Sequence, residues 1–490
     1  MIKRLLLLLL LLSVLMYTGC GGGGGKKDPY GGCIIPSPED NEVFSSLGGG
    51  RVVDVAKFNG KGIYTTVTAL TANKLEGYGD PPVYYSGKLL TTTGITESHI
   101  SSFAKNRSAK LLASNFISKQ AEHDLLARQA ENDALARRVK QFSKKISDIN
   151  FAAPSPAEKG TPWNGVKITT DGTSSVLINT TCQYVSNSAY FFVDDENTTD
   201  LTLEEYGAAF DAIYLKNREK FGKENDVDGN GKVIIVFTPK LSGDFLGYFY
   251  AIDKFSSSDF ELSNEGDIFY VTTTPGYQGD TIKATLAHEF QHMIYFDQHY
   301  NSGVTNTQTW LNEALSQAAE YYSGYTESHL NWIKSFLAGG WYGLSLTYWT
   351  SYNYGYGAIF IRYLIDQYRI TVPDLTKLMC STGFVGIAAV ESATGNDFNT
   401  IFYNFSRALV LSGTGVTTDE RYNFTSLILQ DIQSDQRRKG LLPIGPFPAG
   451  DGGTVEMYPY EIYFTDWYGE FGTMQLSGDL AGDVFGIENQ

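Results

Sequence analysis

Residues 286–296 read LAHEFQHMIYF and bring His288, Glu289 and His292 close together in sequence. In an α-helix each residue advances about 100°, so His292 lies about 40° round from His288 and one turn along, and the three side chains share an arc of about 100°. Ile282, Leu286, Phe290, Met293 and Ile294 fill the next arc. A helix of this kind buries one side and offers the other to a cleft. The fold around it must therefore supply both a core for the apolar side and a second element facing the polar one.

The polar strip has the form of a metal site. Neutral imidazoles one turn apart can both approach a zinc ion at about 2.0–2.1 Å, and a catalytic zinc takes a third protein ligand while keeping one position for water. Glu289 is placed to act as general base on that water. The plainer alternative is a polar helix face with two solvated histidines, and a third ligand separates the two. A glycine and a third histidine in fixed register after the motif would make a metzincin, but those positions hold Tyr295 and Gln298. His299 is one residue out of register and reads as a surface residue. Downstream, WLNEALSQAAEYY carries Glu313 and Glu320, two turns apart on nearly the same side of a predicted helix, and either can reach a metal on geometry alone.

LAHEFQHMI followed by WLNEALSQAAEY resembles the hyicolysin family of zinc metallopeptidases, within the gluzincin group, and the likeness runs from AYFFVDD through SNEGDIFYVTTTP to about Tyr368. The resemblance implies a thermolysin-like core with His288, His292 and Glu313 as zinc ligands and Glu289 as the catalytic carboxylate. It implies that DIFYVTT is the edge strand along which an extended peptide would lie. It also implies a tyrosine donating to the oxyanion, for which Tyr356 is the first choice, ahead of Tyr354 and Tyr352. One departure stands out. The acidic residue that orients a ligand histidine in thermolysin, four positions after the third ligand, is Gln317 here, which leaves the partner of that histidine unassigned.

The chain opens MIKRLLLLLLLLSVLMYTGC, with Lys3 and Arg4 ahead of a leucine run too short for a comfortable membrane span, which is the layout of a secretory signal over residues 1–19. YTGC resembles a bacterial lipobox apart from Tyr17, so Cys20 is expected to carry a lipid anchor, and Gly21–Gly25 begins a flexible tether over 20–49. The expected location is outside the cytoplasm, on a bacterial outer membrane or cell surface. Without Lys3 and Arg4 the formal charge of −16 becomes −18, which excludes nucleic-acid partners. Among the remaining cysteines, Cys33, Cys182 and Cys380, at most one bridge can form.

With 42% apolar residues the chain has material for one large core or two moderate ones. Short strands such as RVVDVAKF and GKGIYTTVTAL are predicted within 50–95. A charged, proline-free tract then places Leu135, Val139, Phe142, Ile146 and Ile149 at 4-3-4-3 spacing, an amphipathic helix. Residues 50–150 therefore read as a β-rich region plus a long helix that packs on the body or serves as a stalk or pro-segment. The linker FAAPSPAEKGTP leads into a peptidase-like domain over 163–440, where SAYFFVDDE, KVIIVFTP and DIFYVTTTP read as strands and LEEYGAAFDAIYLKNREKFG as a helix. Helices dominate after Thr281, and 441–490 returns to strands. The predicted class is α+β, with a mixed sheet and a mainly helical second lobe.

NDVDGNGKVIIVF sets Asp226, Asp228 and Asn230 at alternate positions, like the first half of a calcium loop, but Phe237 stands where the bidentate glutamate would be. The leading expectation is a zinc endopeptidase acting on protein or peptide substrates. Its rivals are an inactive peptidase scaffold serving as a surface binding lipoprotein, and a zinc hydrolase acting on esters or lipids.

Overall fold

The computed structural model describes residues 156–432 apart from 170–174, 242–245, 341–342, 370 and 414–417, together with 44–47, 52–54, 63–70, 74–78, 85–90, 454–467, 473–477 and 481–488. The chain divides into residues 1–36 and 37–490, and the first unit lies outside the described residues. Cys20, Cys33, the leucine run and the amphipathic stretch 135–149 lie outside them too. Among the described residues no helix is long and apolar enough to cross a membrane.

The protein is mixed α+β. The described strands before the linker are β1 (Phe44–Leu47), β2 (Val52–Asp54), β3 (Ile63–Leu70), β4 (Gly77–Tyr78) and β5 (Tyr85–Leu90). Beyond it come β6 (Pro162–Thr169), β7 (Ser175–Val185), β8 (Ala189–Asp194), helix α1 (Leu203–Phe221), β9 (Val233–Thr238), β10 (Gly247–Phe249), β11 (Ile268–Thr272) and helix α2 (Asp280–Ser302). The second lobe holds α3 (Thr309–Tyr322), α4 (Thr326–Ser335), a π-helical turn at Phe336–Gly340, β12 (Tyr348–Trp349), α5 (Tyr354–Tyr368), α6 (Leu375–Ser381), α7 (Gly386–Thr394), α8 (Phe398–Leu411) and the short α9 (Leu429–Ile432). Strands β13 (Thr454–Met457), β14 (Ile462–Trp467), β15 (Thr473–Ser477) and β16 (Ala481–Glu488) follow.

The central sheet has the order β10-β11-β9-β8-β7-β6. β11, β9 and β8 are parallel neighbours, and β10 and β7 run antiparallel to the strands beside them. The apolar runs of β8, β9 and β11 are buried at every position, as expected of strands covered on both faces. α1 supplies the crossover that a parallel β8–β9 pair requires. Its Tyr206 and Phe210 meet Phe237 of β9 and Phe269 of β11, and Phe210 also meets Phe290 of α2 edge-on. Aromatic packing thus ties the motif helix to the sheet. α2 ends at Gly303, whose φ of 77° closes the helix through bonds to the His299 and Tyr300 carbonyls, a conformation that favours glycine.

Strands from the two ends of the chain interleave in two antiparallel sheets, β1-β16-β3-β14 and β13-β5-β15-β2. β1 falls inside the stretch read from sequence as a flexible tether, so the last part of that stretch belongs to a sheet. Residues 74–78 lie along the helical lobe. Gly77 donates to the Thr347 carbonyl at 3.1 Å, and Thr347 Oγ1 donates to the Leu75 carbonyl at 2.8 Å. Glu76 accepts from the Ile387 amide at 2.9 Å and from Trp310 Nε1, while Lys74 pairs with Asp397 at 2.9 Å and with Glu391. Trp310 opens α3, the helix that carries Glu313.

Candidate metal centre

α2 and α3 are buried helices that turn their polar sides toward each other. His292, Glu313, Asn312, Gln317 and Glu320 are almost wholly buried, as is Glu289, so these groups face partners instead of bulk water, and Glu289, Gln317 and Glu320 reach one cavity. His288, His292 and Glu313 each offer one ligand atom, all within 4.8 Å of one another. Glu313 Oε2 lies 3.3 Å from His288 Nε2 and 3.5 Å from His292 Nε2. Charge-assisted hydrogen bonds run shorter, at about 2.7–2.9 Å. Tetrahedral bonds of about 2.0–2.1 Å, by contrast, place neighbouring ligand atoms about 3.3–3.4 Å apart. The two distances from Glu313 Oε2 fit neighbouring ligands of a zinc ion.

The distal ring nitrogens are held in the matching tautomers. His288 Nδ1 donates to Glu320 Oε1 at 2.8 Å, and His292 Nδ1 donates to Asn312 Oδ1 at 3.0 Å, which turns each Nε2 toward the Glu313 side. The Ser316 hydroxyl, which donates to Gln291, sits against the His292 ring, 3.0 Å from Nδ1. Burial disfavours a charge on His288, but Glu313 and Glu320 flanking the ring, with the Glu289 charge nearby, outweigh it and hold its pKa well above the usual imidazole value. A metal entering the site must displace that proton. Sequence geometry left Glu313 and Glu320 equivalent; in the fold Glu313 reaches both Nε2 atoms, while Glu320 stands behind the His288 ring.

A cavity of about 250 Å³ opens at the centre, lined by His288 and Glu289, by Leu246 and Gly247 of the edge-strand segment, and by Trp332 and Tyr354 of the second lobe. Three expectations differ from the structure here. β11, which contains most of DIFYVTT, is an interior strand paired on both sides; the edge is β10, which runs antiparallel to it and reaches the cavity at Gly247. A three-residue strand gives no alternation to read, so sequence reasoning missed it. Tyr356 is fully buried against Phe336 and Phe405, with its hydroxyl donating to the Tyr460 carbonyl at 3.1 Å, and does not line the cavity. Tyr354 does, with its ring 6.3 Å from that of His288, while Tyr352 is 37% exposed and outside the lining. His299 is likewise no surface residue. It is fully buried, between the Tyr295 and Phe384 carbonyls.

Asp226 and Asp228 are joined by Asp267, which opens the segment leading into β11, in a second group able to hold a cation. Asn230 turns inward on its own loop, donating to Asp228 and accepting from the Lys232 amide. Asp267 also meets the Lys254 ammonium, which is bonded to Asp297 of α2 at 2.7 Å. Burial and the Asp267 charge push the Asp228 carboxyl up to about 7. Cys182 and Cys380 are buried free thiols.

No family model matches the chain. It is similar to the neutral metalloprotease ShpI of Staphylococcus hyicus, 32% identical over 155 residues that cover 28% of this chain and 35% of that protein. The chain thus spans about a third of the length of the curated relative it matches.

Proposed function

We propose that the chain is a zinc-dependent endopeptidase of thermolysin-like arrangement, related to the hyicolysins. The observation that carries this reading is the convergence of His288, His292 and Glu313 within 4.8 Å of one another, beside a cavity that His288 and Glu289 line. The likeness to a neutral metalloprotease supports it.

His288, His292 and Glu313 would hold the zinc. When bound, zinc lowers the pKa of a coordinated water towards neutrality and polarises the scissile carbonyl. Glu289 takes the water's proton and passes it to the leaving amine. Tyr354, whose ring lies on the same cavity, donates its hydroxyl to the carbonyl oxygen as negative charge develops there. β10, as the sheet edge beside Glu289, offers its outer backbone groups to an extended peptide substrate. Glu320 and Asn312 keep the two imidazoles in register.

Metal analysis of the purified protein together with casein cleavage tests this. One zinc per chain, loss of cleavage with a chelator and recovery on adding zinc are expected. Zinc binding without cleavage of any protein would favour the inactive-scaffold reading, and cleavage of esters alone the other hydrolase.

A calcium ion held by Asp226, Asp228 and Asp267 is a second proposal, supported by the way Asp267 fills out the partial loop. We also propose that the protein is exported and tethered to a bacterial membrane through a lipid on Cys20. Detergent-phase partitioning of wild type and Cys20→Ala tests the anchor, and identical behaviour would contradict it.

A further inference from the structure

The residue four positions after Glu313 is a glutamine, and the carboxylate nearest His288 comes from three residues further along the same helix. Seven residues make nearly two full turns, so Glu320 returns to within about 20° of Glu313 on the helix wheel while standing about 10 Å farther along the axis. From there it reaches the far side of the His288 ring. Its Oε1 accepts from His288 Nδ1 at 2.8 Å and from Gln317 Nε2, also at 2.8 Å. Gln317 is 1% and Glu320 4% exposed, and both reach the cavity wall with Ser328. Two donors thus converge on one carboxylate oxygen, an arrangement that favours a single geometry.

We propose that Gln317 and Glu320 act together as a positioning pair, with Glu320 holding His288 in the tautomer that presents Nε2 to the metal and Gln317 holding Glu320. The inference rests on the zinc reading above. Glu320 stands on the ring nitrogen opposite the one that meets Glu313, so it serves the ligand and not the ion. The charge opposite the ring raises its basicity as a donor, and the Gln317 amide keeps a flexible glutamate from swinging away. The role taken in thermolysin by an acid at the glutamine's position is thereby divided between two side chains.

The test is zinc affinity of the full chain, measured by competition with a chromophoric chelator, with apo-protein melting followed alongside. Glu320→Gln should bind zinc on the order of 10- to 100-fold more weakly than wild type. Gln317→Leu should lose less, and the exchange Gln317→Glu with Glu320→Gln should recover part of the loss by returning a carboxylate to the network. Wild-type zinc affinity in a folded Glu320→Gln protein would overturn the pair alone. Should Glu320→Gln not fold, Gln317→Leu decides, and undiminished affinity there overturns the proposal. A wild type that takes up no zinc would overturn the metal reading and the pair with it.

Discussion

Gly247 of the edge strand approaches Glu289 so closely that a β-carbon built on it would stand 3.0 Å from Glu289 Cγ, 2.7 Å from Thr285 Cγ2 and 2.8 Å from the Tyr270 carbonyl oxygen. The missing side chain is what lets the strand lie against the motif helix at Glu289, the proposed general base. Gly247→Ala must move the strand or the glutamate. A displacement approaching 1 Å costs on the order of 100-fold in rate, and overpacking adds about 1–3 kcal/mol of instability. The expected result is slower casein cleavage and a lower melting temperature with zinc content intact. Wild-type turnover would show that Glu289 is not held by this contact.

Tyr354 and Tyr356 should separate cleanly. Tyr354→Phe is expected to lower kcat on the order of 100-fold while zinc stays bound, as for loss of one positioned donor to the oxyanion. Tyr356→Phe removes one of two hydrogen bonds to the buried Tyr460 carbonyl, which keeps the Leu346 amide, so it should lower stability by about 0.5–1.5 kcal/mol with kcat preserved. The reverse pattern in kinetics and thermal melts would exchange their roles.

The reason the sequence does not say which of these two lines the cavity is physical. Two residues on a helix point about 200° apart, and α5 is buried nearly all round, so its hydrophobic pattern does not say which side meets the cavity. The motif helix was legible because its polar strip interrupts an apolar one. Glu313 and Glu320 lie on one face, and only the position of α2 beside them assigns their roles. β8, β9 and β11 were legible as continuous apolar runs, while the interleaving of the terminal strands depends on pairings across hundreds of residues that no local pattern records.

Glu76 supplies a pH dependence. Burial, opposed by bonds from Trp310 and Ile387, pushes its carboxyl up to about 7, above the ordinary value of 4.5. The folded state therefore holds this proton more tightly than the unfolded chain. Its stabilising contribution is fully present below about pH 4.5 and is lost as pH rises through about 7, at about 1.4 kcal/mol per pH unit between the two values. The melting temperature of wild type minus that of Glu76→Gln should fall from pH 5 to about pH 7 and level off above it. A flat difference would place this carboxyl at an ordinary pKa.

Calcium at millimolar concentration should raise the melting temperature of wild type, since an ion that binds the folded chain stabilises it by mass action. The shift should disappear in Asp228→Asn, whose carboxylate belongs to the group with Asp226 and Asp267. Equal curves with calcium or a calcium chelator would leave these aspartates as a turn feeding β9.

The most direct measurement compares wild type and Glu289→Gln for bound zinc and casein cleavage in the same preparation. His288, His292 and Glu313 are untouched by the substitution, so both proteins should carry one zinc per chain. Cleavage should survive only in the wild type, falling on the order of 100-fold or more in the variant as the general base is lost. Equal cleavage by the two proteins would contradict the assignment of Glu289, and a wild type that neither holds nor takes up zinc would contradict the metal centre itself.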